Sequence, residues 1–116
     1  MARLVCAIGV LAGMACAPTT AEAPRHPIPI ATGSADGIYY ALGTELAQAY
    51  ARRIDGVSPV ALPTAASGYN VQAIESGDAE LAFALGDVTY LAYTRGTSDM
   101  PRPHRGIRAI AVLYVN

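Results

Sequence analysis

The feature that most constrains the fold of this chain is a regular alternation of short apolar runs with amphipathic stretches. The apolar runs are typical of buried strands, and the stretches between them carry apolar residues at the three- and four-residue spacing of helices. The sequence therefore predicts strands at 28–32, 57–62, 79–85 and 107–113, with helices at 38–54, 69–76 and 87–95. Strands that alternate with helices favour an α/β fold, a mostly parallel sheet with flanking helices.

Local signals mark where these elements begin and end. Ser34 or Asp36 is expected to cap the first helix, and Asp87 the third, because short polar side chains accept hydrogen bonds from free N–H groups at a helix start. Asp55-Gly56 ends the first predicted helix, and Gly77 and Gly96 directly follow the second and third, as is typical of helix ends. Pro59 predicts an edge position or a bulge for the second strand. The proline-rich stretch at 25–29 is expected not to pack.

The N-terminal residues have the pattern of a secretory signal peptide, which we assign to residues 1–23. A short positive start at Arg3 precedes an apolar run of roughly 14 residues and then small residues, with cleavage expected after Ala21 or Ala23. A bilayer-spanning helix needs roughly 20 residues, so a transmembrane anchor is the weaker alternative. A lipid anchor at Cys16 is another alternative. The mature chain is thus expected in the periplasm.

Composition excludes several classes of function. Eight arginines stand against nine acidic residues, for a formal net charge of −1, and such a balance argues against nucleic acid as a partner. Both cysteines, Cys6 and Cys16, fall inside the predicted signal, so the mature chain has no thiol nucleophile, disulfide or cysteine metal site. Phosphate-loop and serine-elbow motifs are absent, and His26 and His104 lie in proline-rich loops without paired carboxylates. We expect no cofactor, no metal and no enzymatic activity.

Three loops could hold a small ligand. They span 32–37, 64–69 and 86–87, they are rich in glycine and hydroxyl side chains, and each leads into a predicted helix. In open α/β sheets, ligands bind at the carboxyl ends of strands, where helix N-termini favour carboxylates. Asp87 would suit a ligand ammonium group. The alternative is that Ser34, Ser67 and Asp87 only cap their helices.

Two consecutive tyrosines, Tyr39 and Tyr40, open the first helix. Neighbouring helix positions point about 100° apart, so the two rings cannot share one environment. One can pack inward while the other leans over the loop toward a ligand. Two half-buried tyrosines without a ligand role are an equal alternative.

Four segments resemble the TAXI family, the periplasmic solute receptors of TRAP (tripartite ATP-independent periplasmic) transporters. The segment at 32–43 (TGSADGIYYALG) is similar to that family's T-G-x-x-x-G-x-Y-Y-x-x-G, and the one at 64–70 (TAASGYN) to T-x-G-S-x-x-N, with Ala66 in place of glycine. The third, at 77–88, resembles G-x-A-D-L-A-(F/I)-x-Q-x-D, with Gly86 in place of a polar residue. The fourth, at 107–114, resembles a strand that ends in L-Y.

The resemblance implies a class II periplasmic-binding-protein fold, with two α/β lobes and a cleft between them. It implies a small organic acid or amino acid as ligand, glutamate-like or a dicarboxylate, delivered to the membrane permease subunits of an ion-driven TRAP transporter. The cleft contacts that carry over are Ser34, Tyr39, Thr64, Ser67, Asn70 and Asp87.

Length sets the expected domain organisation. A two-lobed receptor needs about 100–150 residues in each lobe, so residues 24–116 are expected to be a truncated, N-terminal part of lobe 1. The alternative is a stand-alone exported module for ligand sensing or interaction.

Overall fold

The computed structural model describes residues 25–114, which form three strands and three helices in alternation. The elements are β1 (His26–Ala31), α1 (Ile38–Arg53), β2 (Val57–Leu62), α2 (Ser67–Ser76), β3 (Leu81–Ala82) and α3 (Gly86–Arg95). The predicted α/β class is confirmed, as is each predicted helix to within two residues at either end. The predicted signal peptide lies outside the described residues.

The three strands form one parallel sheet in the order β2–β1–β3. Strand β1 pairs along its whole length with β2, from His26 opposite Val57 to Ala31 opposite Leu62, but with β3 only at Ile30 and Ala31. Strand β2 therefore lies at an edge of the described sheet, as its proline predicts. This small parallel sheet with flanking helices agrees with part of a periplasmic-binding-protein-like lobe.

The expectation that the proline-rich stretch at 25–29 does not pack is wrong, because β1 begins at His26. In β1, the N–H and C=O groups of the even-numbered residues point toward β2, as the bond from the His26 N–H to the Gly56 carbonyl shows. Odd-numbered groups face β3, where Pro29 accepts from the Glu80 N–H. Both prolines of β1 are odd-numbered, so their missing N–H groups leave the ladder with β2 intact.

The predicted side-chain caps are also wrong. The N-cap residues of α1, α2 and α3 are Gly37, Ala66 and Leu85, and none of the three makes a side-chain capping bond. The Ser34 carbonyl, rather than its hydroxyl, accepts from the Gly37 N–H at 2.8 Å. Asp87 lies inside the first turn of α3, where its charge still complements the helix dipole.

Helix α1 packs through small residues rather than through the large apolar ones that its pattern favours. Gly43 and Ala47 are its buried positions, whereas Ile38 is 63% exposed and Ile54, the C-cap residue directly after the helix, is 44% exposed. A Cβ atom added at Gly43 would overlap the methyl group of Thr32, so glycine permits the close approach of α1 to the end of β1.

The last two predicted strands differ from the structure. Strand β3 keeps only Leu81–Ala82 of the predicted 79–85, because only these residues pair with β1. The strand predicted at 107–113 is absent: no backbone hydrogen bond among the described residues joins this stretch to a neighbouring strand. A strand exists only with hydrogen-bonded neighbours, and this segment leaves Ile110 80% and Val112 87% exposed.

The buried core is small and rich in alanine. Ala31 at the end of β1 clusters with Ala73 and Ala79, and Ile74 packs against them. Within residues 25–114, none of the helices has the length and apolar character that crossing a bilayer requires.

Candidate functional site

The loops that follow β1, β2 and β3 meet at one edge of the sheet, because all three strands are parallel. Each loop leads directly into a helix, so the N-termini of α1, α2 and α3 gather at this edge. The three predicted ligand loops therefore do lie together, at the position where open α/β sheets bind ligands.

Backbone hydrogen bonds join the first two loops. The Thr64 N–H donates to the Gly33 carbonyl at 3.0 Å, and the Thr32 N–H donates to the Leu62 carbonyl at the same distance. The fully buried Thr32 hydroxyl donates to that same Leu62 carbonyl at 2.6 Å. The loops after β1 and β2 are thus held in fixed relative positions.

Asn70 joins all three loops from the first turn of α2. Its amide nitrogen donates to the Thr32 carbonyl at 2.5 Å and to the Phe83 carbonyl at 2.7 Å, while its amide oxygen accepts from the Thr64 hydroxyl at 2.6 Å. The side chain is fully buried and both of its N–H groups have partners inside the protein. Asn70 therefore fixes the three loops of the site relative to one another from a buried position. Its direct contact with a ligand stays a prediction.

The Thr64 and Ser67 hydroxyl groups each accept a hydrogen bond from a backbone N–H group of the site. The Thr64 hydroxyl accepts from the Ala66 N–H at 3.1 Å. The buried Ser67 hydroxyl accepts from the Leu85 N–H at 3.0 Å, which ties the start of α2 to the start of α3. An accepting serine keeps its own proton as a donor, so Ser67 can still bind an anion.

Ala66 has an unusual backbone conformation at the start of α2, with φ 68° and ψ −151°. It is the one non-glycine residue with positive φ among those the structure describes. This region of backbone space is populated almost only by glycine, and it costs other residues on the order of 1–3 kcal/mol. The loop is therefore strained at the position where the TAXI pattern has glycine.

Tyr39 forms one side of the site, and Tyr40 faces elsewhere. The Tyr39 ring stacks on Phe83, with centroids 5.6 Å apart and planes 26° apart. Tyr40 lies on the β2 side of α1, beside Pro59 and Val60. The two rings are both half-buried and face different surroundings, as the sequence predicts.

The Tyr39 hydroxyl lies in a polar cluster with Tyr114 and Asp87. Burial raises the pKa of Tyr39 above its ordinary value, and the hydrogen bond with Tyr114 and the charge of Asp87 raise this pKa further. Sequence reasoning did not place Tyr114 in the site. The signal that could have found it is the closing L-Y of the segment at 107–114.

Ser34 and Asp87 lie exposed at the rim. The Asp87 carboxylate accepts from the Val88 N–H at 2.7 Å, and its charge remains open to solvent. These two residues are accessible, whereas Thr64, Ser67 and Asn70 lie progressively deeper.

A groove of about 1210 Å³ extends from Tyr39 along β3, and its lining is mostly apolar. The stretch 106–114 lines this groove together with Phe83 and Leu85. No group of three or more His, Cys, Asp or Glu side chains in the described part of the chain could hold a metal ion.

Loops gathered at helix N-termini and tied together by a buried asparagine are the geometry of a small-molecule binding site. A model of the NMT1-like family matches residues 30–116, which include all three strands of the described sheet apart from the first four residues of β1. The chain belongs to the NMT1-like family. This family is periplasmic-binding-protein-like and typically non-enzymatic. Membership in the NMT1-like family indicates an extracytoplasmic solute-binding role, with a small molecule and transporter components as partners.

Proposed function

We propose that this chain is a TAXI-type receptor of a TRAP transporter that captures a small organic acid or amino acid in the periplasm. The ligand would be glutamate-like or a dicarboxylate, handed to an ion-driven permease in the membrane. The receptor binds its ligand without chemical change, and it needs neither a metal nor a cofactor.

The observation that carries this proposal is that three helix N-termini meet at one edge of the sheet and that none of their N-cap residues makes a side-chain capping bond. The first N–H groups of a helix have no partner inside the helix, and together they carry partial positive charge. Capping would have satisfied some of these donors and was the main alternative for the serines. A carboxylate satisfies them equally well.

Charge at the rim favours an amino acid among the possible acids. Asp87 would repel a second carboxylate but would attract an ammonium group. The Asp87 carboxylate lies close enough to the Tyr39 hydroxyl for its charge to raise the pKa of Tyr39. The carboxylate would bind at the start of α2, and the ammonium group would face Asp87.

Gly68 offers a direct test, since it lies in the first turn of α2 and a Cβ atom added there meets no other atom within 4 Å. Gly68→Asp places a negative charge where the ligand carboxylate would bind, although acidic residues in a first turn ordinarily stabilise a helix. We expect the wild-type chain to bind glutamate in titration calorimetry, and to bind succinate more weakly because succinate has no ammonium group to face Asp87. Gly68→Asp should lose that binding without losing stability.

Gly68→Asn is the matched control, because it has the same shape without the charge. It should bind within a few-fold of wild type. If no small acid binds the wild-type chain, the proposed function is wrong. If Gly68→Asp binds as well as Gly68→Asn, the ligand does not lie at the start of α2.

A further inference from the structure

Half of the arginines in the chain lie in one short stretch. Arg95, Arg102, Arg105 and Arg108, here called the arginine patch, fall within 14 residues that contain one acidic residue, Asp99. Four positive charges against one negative give residues 95–108 a formal charge of +3. The chain as a whole carries −1, so the remaining residues carry −4.

The fold gathers these arginines around the C-terminal end of α3. Arg95 is in the last turn of the helix. Gly96 follows with φ +101°, and a side chain there would overlap the backbone of Arg102. The Arg105 guanidinium lies over the Tyr93 ring, 4.4 Å from its centroid, and Arg108 donates to the Arg105 carbonyl at 2.6 Å.

The charges of the arginine patch are available to bind an external anionic partner. All four arginines are exposed, and none of them forms an ion pair within residues 25–114. The Glu75 carboxylate accepts from the Gly106 N–H at 2.9 Å and forms no ion pair with these arginines. Arginine binds phosphate oxygens in pairs through its planar fork of donors, which makes this patch suited to a phosphate-bearing surface.

An aliphatic segment, residues 109–113, follows directly after the arginine patch. Ile110 is 80%, Val112 87% and Leu113 60% exposed, which are high values for side chains of this type. Tyr90, at 67% exposed, and Tyr114, at 47%, lie on the same groove as this segment. Tyrosine is favoured where an apolar phase meets water.

We propose that the arginine patch and the aliphatic segment together bind the surface of an anionic phospholipid bilayer. The arginines would contact lipid phosphates while the aliphatic side chains enter the interface beneath them, the usual arrangement of a peripheral membrane site. A nucleic acid would satisfy the arginines but would leave the aliphatic side chains in water. A lipid interface covers both, and this role is additional to the proposed solute binding.

The test is co-sedimentation of the full chain with vesicles of phosphatidylcholine alone or with one third phosphatidylglycerol. We expect binding to the anionic vesicles that weakens as salt is raised. Each arginine near an anionic surface contributes about fivefold in affinity, so Arg102→Gln combined with Arg105→Gln should weaken binding roughly 30-fold. Arg52→Gln combined with Arg53→Gln is the matched control, since this exposed pair ends α1.

The aliphatic segment has its own variant pair. Ile110→Ser combined with Val112→Ser should weaken vesicle binding at least tenfold, since each buried CH₂ group contributes about fourfold. Ile38→Ser combined with Ile54→Ser is the control, because these exposed side chains lie at the start of α1 and directly after its end. All variants share the same N-terminal residues, so differences between them report the patch and the segment alone.

Three results would overturn the proposal. If the chain binds neutral and anionic vesicles equally, the arginines do not contribute to membrane binding. If the control variants lose as much vesicle binding as the arginine-patch and aliphatic-segment variants, this surface is not the membrane site. Self-association without lipid that the Ile110→Ser and Val112→Ser changes abolish would show that a second copy of the chain, rather than a bilayer, covers the aliphatic segment.

Discussion

Ala66→Gly should stabilise this protein, which is the reverse of what an alanine-to-glycine change ordinarily does. Ala66 is held at φ 68° and ψ −151°, where a Cβ atom is unfavourable. Its conformation is fixed by the loop around it, since its N–H donates to the Thr64 hydroxyl and its carbonyl accepts from the Asn70 N–H. Glycine adopts the same backbone conformation without the steric cost.

The magnitude follows from three opposing contributions. Relief of strain contributes on the order of 1–3 kcal/mol. The added freedom of glycine in the unfolded chain costs about 0.4–1 kcal/mol, and loss of a half-buried methyl group costs at most about 0.8 kcal/mol. We therefore expect a net gain of about 1 kcal/mol in the free energy of unfolding. That gain raises the urea midpoint by roughly 0.5–1 M at the slopes of small domains.

The assay is urea unfolding followed by far-ultraviolet circular dichroism, because the chain has no tryptophan. Ala65→Gly is the control, since Ala65 is exposed and has no positive φ. It should lower stability by about 0.4–1 kcal/mol. If Ala66→Gly lowers the midpoint as Ala65→Gly does, the strain at Ala66 is not real and the reasoning fails.

Three further predictions concern buried or half-buried polar side chains. Asn70→Ala should lower stability by about 2–5 kcal/mol, because the Thr32 and Phe83 carbonyls lose their donor, and urea unfolding measures this loss. His104 is fully buried, and neither of its ring nitrogens makes a hydrogen bond. His104→Leu should therefore leave the free energy of unfolding unchanged or raise it by about 1 kcal/mol. A loss as large as that of Asn70→Ala would show that the ring has a hydrogen-bond partner. The pKa of Tyr39 is raised in the folded state, so its contribution is complete below pH 10 and is lost as pH rises through the folded pKa. Tyr39→Phe should remove that part of the alkaline loss of stability, and an unchanged profile would contradict the assignment.

The helices could be predicted well because their signals are local. The bounds of α1 and α3 differ from prediction by one residue at an end, and α2 begins two residues early. The limits of β2 agree fully with prediction, because the sequence on either side of it changes sharply. Strands β1 and β3 were predicted less well, since a strand extends only as far as its neighbours bond to it.

Part of the candidate site was also predictable, since the parallel order of the strands alone requires their loops to meet. Sequence could not distinguish a rim residue such as Asp87 from a buried connector such as Asn70, because both are short polar residues near a helix start. Only the packed structure shows that the Asn70 amide is bonded inside the protein. Tyr114 was missed because it is distant in sequence from the loops it approaches.

The sequence by itself determined the alternation of elements, the parallel sheet and the edge at which a ligand site forms. These depend on hydrophobic periodicity and chain connectivity, which act within a few residues or within one crossover. Tertiary structure alone decided that Ala66 is strained, that the helix N-termini lack side-chain caps and that the arginines gather beside an exposed aliphatic segment. Those features depend on contacts between residues far apart in sequence, whose geometry no local pattern specifies.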